Sequence, residues 1–207
     1  MQLILASTSP WRRQLLAAVG LRVEGVAPGV AEEEFSEDRP VERAIGLARL
    51  KAQAVAARSP GALVIGADQV AHLNGENFGK PKNPDDHLRR LRALRGRGHR
   101  LVTGVALIGP GIEVLFSEET EVVFRSDLSD EELHGYVLTG EGSGCAGGYQ
   151  AEGQGAALIE RVNGDWFNVI GLPVHRLLGA LRGLGWRPFG LSEASPRQPS
   201  AMGPGQR

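Results

Sequence analysis

The chain has 207 residues, 42% hydrophobic and 23% charged, with a formal net charge of −1. That length and balance suit one generous globular domain, or two small lobes sharing a cleft, and exclude a chain whose overall charge attracts polyanions, so any affinity for phosphate must come from a local cluster. The single cysteine, Cys145, cannot form an internal disulfide, no apolar run reaches 18 residues, residues 3–6 are too short for a signal peptide, and no lipidation box is present, so a cytoplasmic protein is expected.

The first predicted element is a short apolar strand, QLILAS, at residues 2–7. Ser9 then reads as an N-cap and Pro10 as the first residue of a helix. Leu15, Leu16 and Val19 form its inner stripe, and Gly20 ends it. Arg12 and Arg13 fall in the first turn, the end of a helix dipole that does not favour cations. With the free N–H groups there they form an anion site, or they are solvated arginines on an exposed face.

A second strand is predicted over 22–28, followed by an acidic loop, AEEEFSEDRP, at 31–40. A helix starts near Pro40, with Ala44, Ala48, Lys51 and Val55 on one face. Lys51 is the odd member of that stripe. It either snorkels from the edge or points its ammonium into a cleft. Residues 62–81 read as a strand turned back by Asn74-Gly75. Asp68 interrupts that strand, and a carboxylate in an apolar strand is costly unless it is paired or binds a metal. Strict alternation puts Asp68 and Gln69 on opposite faces, so one site using both requires the strand to end or bulge there. On the return arm, Lys80 is held between Gly79 and Pro81.

A helix rich in arginine follows at 84–95, its cations read as a solvated face in preference to a nucleic-acid surface. Strands are predicted at 100–109 and 112–125, joined by a Gly-Pro-Gly turn, and a capping box from Ser129 to Glu132 opens a helix that ends near Gly140. Residues 140–155 form a glycine-rich loop without a Walker lysine or a dinucleotide fingerprint. A strand at 156–162 and a helix at 173–185 complete the domain, taken as 1–190, and a polar tail, 191–207, is expected to be disordered. The five histidines do not cluster and each is read as a surface or edge residue. Cys145 is read as a small packed side chain.

The alternation of strands and helices predicts an α/β fold with a mixed sheet. Arg12, Arg13, Lys51 and Lys80 are four cations at constrained points, and the glutamates at 32–34 and Asp68 are acids able to join them. Cations with carboxylates describe a polyphosphate site that also holds a hard divalent ion. Zinc-ligand spacing and a Gly-x-Ser-x-Gly elbow are both absent from the sequence.

In combination, LASTSPWRR (5–13), LARLKA (47–52), GADQV (66–70), GKP (79–81), TGE (139–141), AGGY (146–149) and NVIGLP (168–173) resemble the Maf-like family, septum-formation-inhibitor-like nucleotide pyrophosphatases. The resemblance implies an elongated mixed sheet flanked by helices, with two lobes around a cleft, like the inosine-triphosphate pyrophosphatases. It implies magnesium- or manganese-dependent hydrolysis of a nucleoside triphosphate to monophosphate and pyrophosphate. Asp68 matches the catalytic acid, and Arg12, Lys51 and Lys80 match phosphate-contacting cations. Glu32, or Glu33 if the register slips, matches the metal-associated glutamate beside Asp68. Ser7 and Ser9 match the phosphate loop.

The branch of that family preferring dTTP and UTP carries arginine, threonine and glutamine where this chain has Trp11, Gln69 and Glu152. These three resemble the branch hydrolysing 7-methyl-GTP, whereas AGGY and NGDWFNVIGLP read more like the wider family. An indole face suits a cationic 7-methylguanine, at roughly 0.5–2 kcal/mol. A carboxylate suits the N–H donors of its Watson–Crick edge. The expected substrate is therefore 7-methyl-GTP, with dTTP/UTP hydrolysis as the alternative. A non-catalytic nucleic-acid-binding or division-regulating protein is the alternative of another class. No stable nucleic-acid or membrane partner is expected, and a homodimer is compatible with the chain.

Overall fold

The computed structural model describes residues 2–187. The expected tail at 191–207 and the last three residues of the expected domain lie outside them. Among the described residues seven strands form one mixed sheet: β1 (Leu3–Leu5), β2 (Glu24–Gly25), β3 (Leu63–Leu73), β4 (Glu76–Phe78), β5 (Gly98–Gly109), β6 (Ile112–Phe124) and β7 (Ile159–Asn163). Their order is β2-β1-β3-β5-β6-β7, with β4 also paired to β3. β1 runs parallel to both of its neighbours, and every other pair is antiparallel. Among the described residues six helices flank the sheet: α1 (Pro10–Ala18), α2 (Pro40–Ala56), α3 (Pro84–Leu94), α4 (Asp130–Leu138), α5 (Trp166–Val169) and α6 (Val174–Gly183). No helix among the described residues is long and apolar enough to cross a membrane.

The local signals act as their chemistry predicts. The Ser9 hydroxyl caps α1 by accepting from Arg12 N, with Pro10 at the first helical position. Asn74 and Gly75 both take positive φ, 53° and 87°, and turn β3 into β4. The capping box at α4 is complete.

The long strands alternate cleanly between two faces. One face carries Ile4, Ala6, Val64 and Ala106 against Ala48, Ala52 and Val55 of α2. The other carries Leu5, Leu63, Ile65, Val105 and Leu107 against α1 and α6. Further along that second face, Ala71, Leu73 and Leu101 pack with α3 and α4. Along that second face the two clusters meet between Ala67 and Ala71 of β3.

Helix α2 lies close on the sheet because both surfaces are small. A Cβ at Gly66 would sit 2.1 Å from Ala48 O, and one at Gly104 would sit 2.2 Å from the Ala44 carbonyl carbon. Only glycine admits the helix backbone at that distance.

Four predicted features differ. The strand expected over 22–28 shrinks to Glu24–Gly25, because its partner β1 is only three residues long before the chain turns into the α1 cap. The acidic loop holds a 3-10 turn at Glu32–Glu34. The strand expected at 156–162 starts at Ile159, preceded by a 3-10 turn over Gln154–Leu158 whose first N–H groups are drawn to Glu141. Helix α5, capped by Asp165, lies where no element was predicted.

The histidine reading also needs correction. His87 and His99 are buried, bonded to Gly148 O and to the Tyr149 hydroxyl (2.8 Å) respectively. Backbone position decided this, because both face the α3/α4 core.

Two predictions follow from packing. Gly104→Ala should lift α2 and cost about 1–3 kcal/mol in urea denaturation, the usual range for overpacking. A variant as stable as the parent would refute the close-approach account. Burial, helped by His72's charge, holds His99 down at about 4. Between the ordinary value near 6.5 and about 4, the unfolded chain binds a proton that the folded chain refuses. Stability should therefore fall as pH is lowered through that window. His99→Gln should show a shallower acid limb in melting temperature against pH; equal limbs would remove His99 as its source.

Candidate active site

The centre of the site is a buried ion pair. Lys51, 6% exposed, reaches from α2 to Asp68, 8% exposed, in the middle of β3. Its Nζ lies 2.6 Å from Asp68 Oδ1 and 2.9 Å from Glu32 Oε1. Two carboxylates thus share one ammonium, which settles how Lys51 escapes the cost of burial. Among the described residues Asp68 Oδ2 accepts no hydrogen bond, and Asp68 lines a cavity of about 890 Å³.

β3 neither ends nor bulges at Asp68–Gln69. Its register with β5 is unbroken there, Asp68 opposite Gly104 and Gln69 opposite Thr103. Instead its other edge is open. β1 pairs only as far as Ile65, and β4 begins only at Ala71. In that gap one cavity reaches both faces of the strand, so Asp68 and Gln69 both line it although they point opposite ways.

Arg12 closes the gap from α1. Its Nε donates to Gly171 O at 2.9 Å and its Nη1 to Ala67 O at 2.8 Å, tying three of the quoted motifs together. Burial lowers the Arg12 pKa, with Asp68 and Glu32 acting in the opposite sense. Its Nη2 remains available to an anion. The Ser7 hydroxyl oxygen accepts from Ser9 N, and that of Ser9 accepts from Arg12 N. Each keeps its own O–H to donate.

Lys80 lines the cavity from the opposite lip. Its loop is anchored by α3: Arg90 donates to Gly79 O at 3.1 Å, and Lys82 N donates to Asp86 Oδ2 at 3.0 Å. That backbone bond, with Arg90 and Arg89, holds the Asp86 carboxyl far below the usual range. The arginines of α3 and its C-cap Arg95 are occupied, since Arg92 and Arg95 pair with Asp130 and Arg89 and Arg90 with Asp86.

Trp11, 40% exposed, stands at the mouth of the cavity, and Glu152 lines it from the glycine-rich loop. Partial desolvation pushes the Glu152 carboxyl up, and the charge of Glu141 adds to it. Gln69 differs from a free reader of a base. Its Nε2 donates to Asn168 O at 2.6 Å and Thr103 Oγ1 at 3.1 Å, which leaves only its oxygen uncommitted. The Cys145 thiol also lines the cavity, and burial, first among the causes, raises its pKa, which disfavours the reactive thiolate.

Arg13 is not brought to the cavity. Its side chain lies over Gly25 of β2, because one helical step turns it about 100° away from Arg12. Glu33 does line the cavity, but Glu32 is the glutamate that meets Lys51. Sequence reasoning missed Arg43 and Lys82, which also line it. Arg43 precedes Lys51 by eight residues on α2 and so shares its face, a signal that was readable. Its Nη1 donates to Phe35 O and Glu37 O and holds the acidic loop over the helix.

The Maf-like protein family model matches residues 2–184. The chain belongs to the Maf-like family. Curated relatives of this Maf-like chain include a protein of Symbiobacterium thermophilum, 44% identical over 91% of the chain and 96% of the relative. Others come from Geobacillus sp., 42% identical over 89% and 99%, and Thermus thermophilus, 46% identical over 90% and 96%. All three are named dTTP/UTP pyrophosphatase. Two solved structures overlap part of the Maf-like fold. The Ham1 protein of Staphylococcus aureus does so with a TM-score of 0.42 and 19% identity over 61% of this chain and 73% of that one. A HAM1 protein of Coxiella burnetii gives 0.44 and 16% over 62% and 75%.

The Lys51 cluster predicts unequal stability costs. Lys51→Met leaves two carboxylates facing each other and should cost about 3–5 kcal/mol. Asp68→Asn leaves Lys51 paired with Glu32 and should cost clearly less. Urea denaturation of both variants decides; equal costs would mean that the ammonium does not bridge.

Proposed function

We propose that this Maf-like protein is a nucleoside triphosphate pyrophosphatase, hydrolysing its substrate to a monophosphate and pyrophosphate. The observation that carries the reading is the Lys51–Asp68–Glu32 cluster facing Arg12 and Lys80 across one cleft. The names of the relatives support the same reaction.

Arg12, Lys51, Lys80 and the hydroxyls of Ser7 and Ser9 hold the triphosphate. Asp68 orients water through its unbonded oxygen and takes the proton. The water oxygen bonds to the α-phosphorus. The bond from that phosphorus to the bridging oxygen breaks, and pyrophosphate leaves with that oxygen. Among the described residues no group of three or more His, Cys, Asp or Glu could hold a metal. Glu32 and Asp68, already converging on one cation, fit an ion that is completed by substrate phosphates, as magnesium commonly is. Held there, such an ion would supply Lewis-acid stabilisation of negative charge on phosphate oxygen.

Two base readings rest on separate observations. The relatives favour dTTP and UTP, and in this the comparisons support the alternative over 7-methyl-GTP. The side chains at the base end favour 7-methyl-GTP. Trp11 offers an exposed indole at the mouth. An ionised Glu152 offers acceptors only, which match the two adjacent donors of guanine but meet a single N–H in uracil or thymine.

A panel of 7-methyl-GTP, GTP, dTTP, UTP and CTP, assayed for kcat/KM with products identified, tests both levels. Pyrophosphate is expected in every productive case; orthophosphate would refute the reaction. We expect 7-methyl-GTP to exceed dTTP and UTP, and the reverse order would assign the protein the relatives' activity. KM for 7-methyl-GTP should rise on the acid side, beginning above the ordinary carboxylate range because Glu152 titrates high. In Glu152→Gln that rise should vanish.

A further inference from the structure

The shape of the glycine-rich loop depends on a carboxylate that does not itself line the cavity. Glu141 Oε1 accepts from Gly155 N at 2.8 Å and from the Tyr136 hydroxyl at 3.1 Å, and its Oε2 accepts from Gln154 N at 3.1 Å. The Tyr136 oxygen in turn accepts from Gln150 N at 3.0 Å. These bonds grip the chain on both sides of Glu152, at residue 150 and at residues 154 and 155. Glycine is what lets the loop wrap so closely. A Cβ at Gly153 would lie 2.6 Å from Glu141 Oε2, and one at Gly155 would lie 2.6 Å from Gln150 O.

We infer that Glu141 is a positioning residue for base recognition, holding Glu152 at the cavity wall through Tyr136 and the N–H groups of Gln154 and Gly155. This rests on the assignment of Glu152 to the base. A carboxylate suits the task because it is an acceptor on both oxygens and its bonds are charge-assisted. A glutamine there must turn an NH₂ toward backbone N–H donors, which breaks one side of the grip. Lys51, Asp68 and Arg12 sit on other elements, so the phosphate end is insulated from that change.

The experiment measures kcat and KM for the best nucleotide of the panel, and inhibition by tripolyphosphate, which carries no base. In Glu141→Gln, KM should rise about tenfold with kcat within about twofold, a loss of binding without loss of chemistry. The tripolyphosphate inhibition constant should not move. Tyr136→Phe should change KM in the same direction and stands in if Glu141→Gln fails to fold. In a Glu152→Ala background, Glu141→Gln should add nothing further. Weakening of tripolyphosphate to the same extent as the nucleotide would reduce Glu141 to a general structural role and overturn the inference, as would an unchanged KM. If Glu152→Ala shifts the base ranking and Glu141→Gln does not, the positioning role alone is wrong. If Glu152→Ala leaves the ranking unchanged, the base reading fails and takes this inference with it.

Discussion

An ammonium and a carboxylate in direct contact under a helix set the terms for the rest of this molecule. Removing either charge from water is expensive, and mutual attraction offsets that cost only with good geometry and further partners. Lys51 and Asp68 meet both conditions through a 2.6 Å contact and the added Glu32 carboxylate. The contact in turn requires α2 to lie unusually close to the sheet. Gly66 and Gly104 on the strands, with Ala44, Ala48 and Ala52 on the helix, remove the side chains that would hold them apart. A stability requirement and a chemical requirement therefore fall on the same small residues.

The second condition is the open edge of β3. A central strand normally has both edges paired, which leaves its backbone inaccessible. Here β1 stops after three residues because the chain leaves it for the Ser9 cap, and β4 arrives only after the Asn74-Gly75 turn. Between them the cavity passes from one face of the sheet to the other. Arg12 fills part of that edge with a hydrogen bond to the Ala67 carbonyl of β3, and ties it to Gly171 O through a second. The same opening lets one cavity take lining residues from both faces of the strand, Asp68 on one and Gln69 on the other.

Much of this was legible in the sequence, for identifiable reasons. Caps, the Asn-Gly turn and the strand alternation are local, and they appear where local chemistry puts them. Asp68 and Lys51 stood out because each violates the apolar pattern around it. What was not legible depended on partners distant in sequence. Whether residues 22–28 extend as a strand depended on the length of β1. Whether Arg12 or Arg13 faces the cleft depended on where α1 docks. His99 is buried because β5 turns that residue toward Tyr149, fifty residues away. Asp68 and Gln69 do point to opposite faces of an unbroken strand, and one site takes both because the open edge joins those faces, which no local pattern encodes.

The tension between relatives and base-end residues has a physical form. Identity of 42–46% over nearly the whole chain reports the demands of folding and of holding a triphosphate, which are shared by every substrate of the class. On the proposed reading the triphosphate falls to α2, β3, the Ser-Pro loop and the Gly-Lys-Pro loop. On the same reading the base falls to a different and smaller set of side chains, chiefly Trp11 and the loop that Glu141 shapes. Replacing an arginine by an indole, or an amide by a carboxylate, changes what that end attracts and leaves the sheet and its ion pair untouched. A scaffold can therefore stay close to one group of enzymes while its recognition surface suits another base. Such a change requires only that the loop carrying Glu152 be held firmly, a condition that a carboxylate gripping both flanks of the turn satisfies.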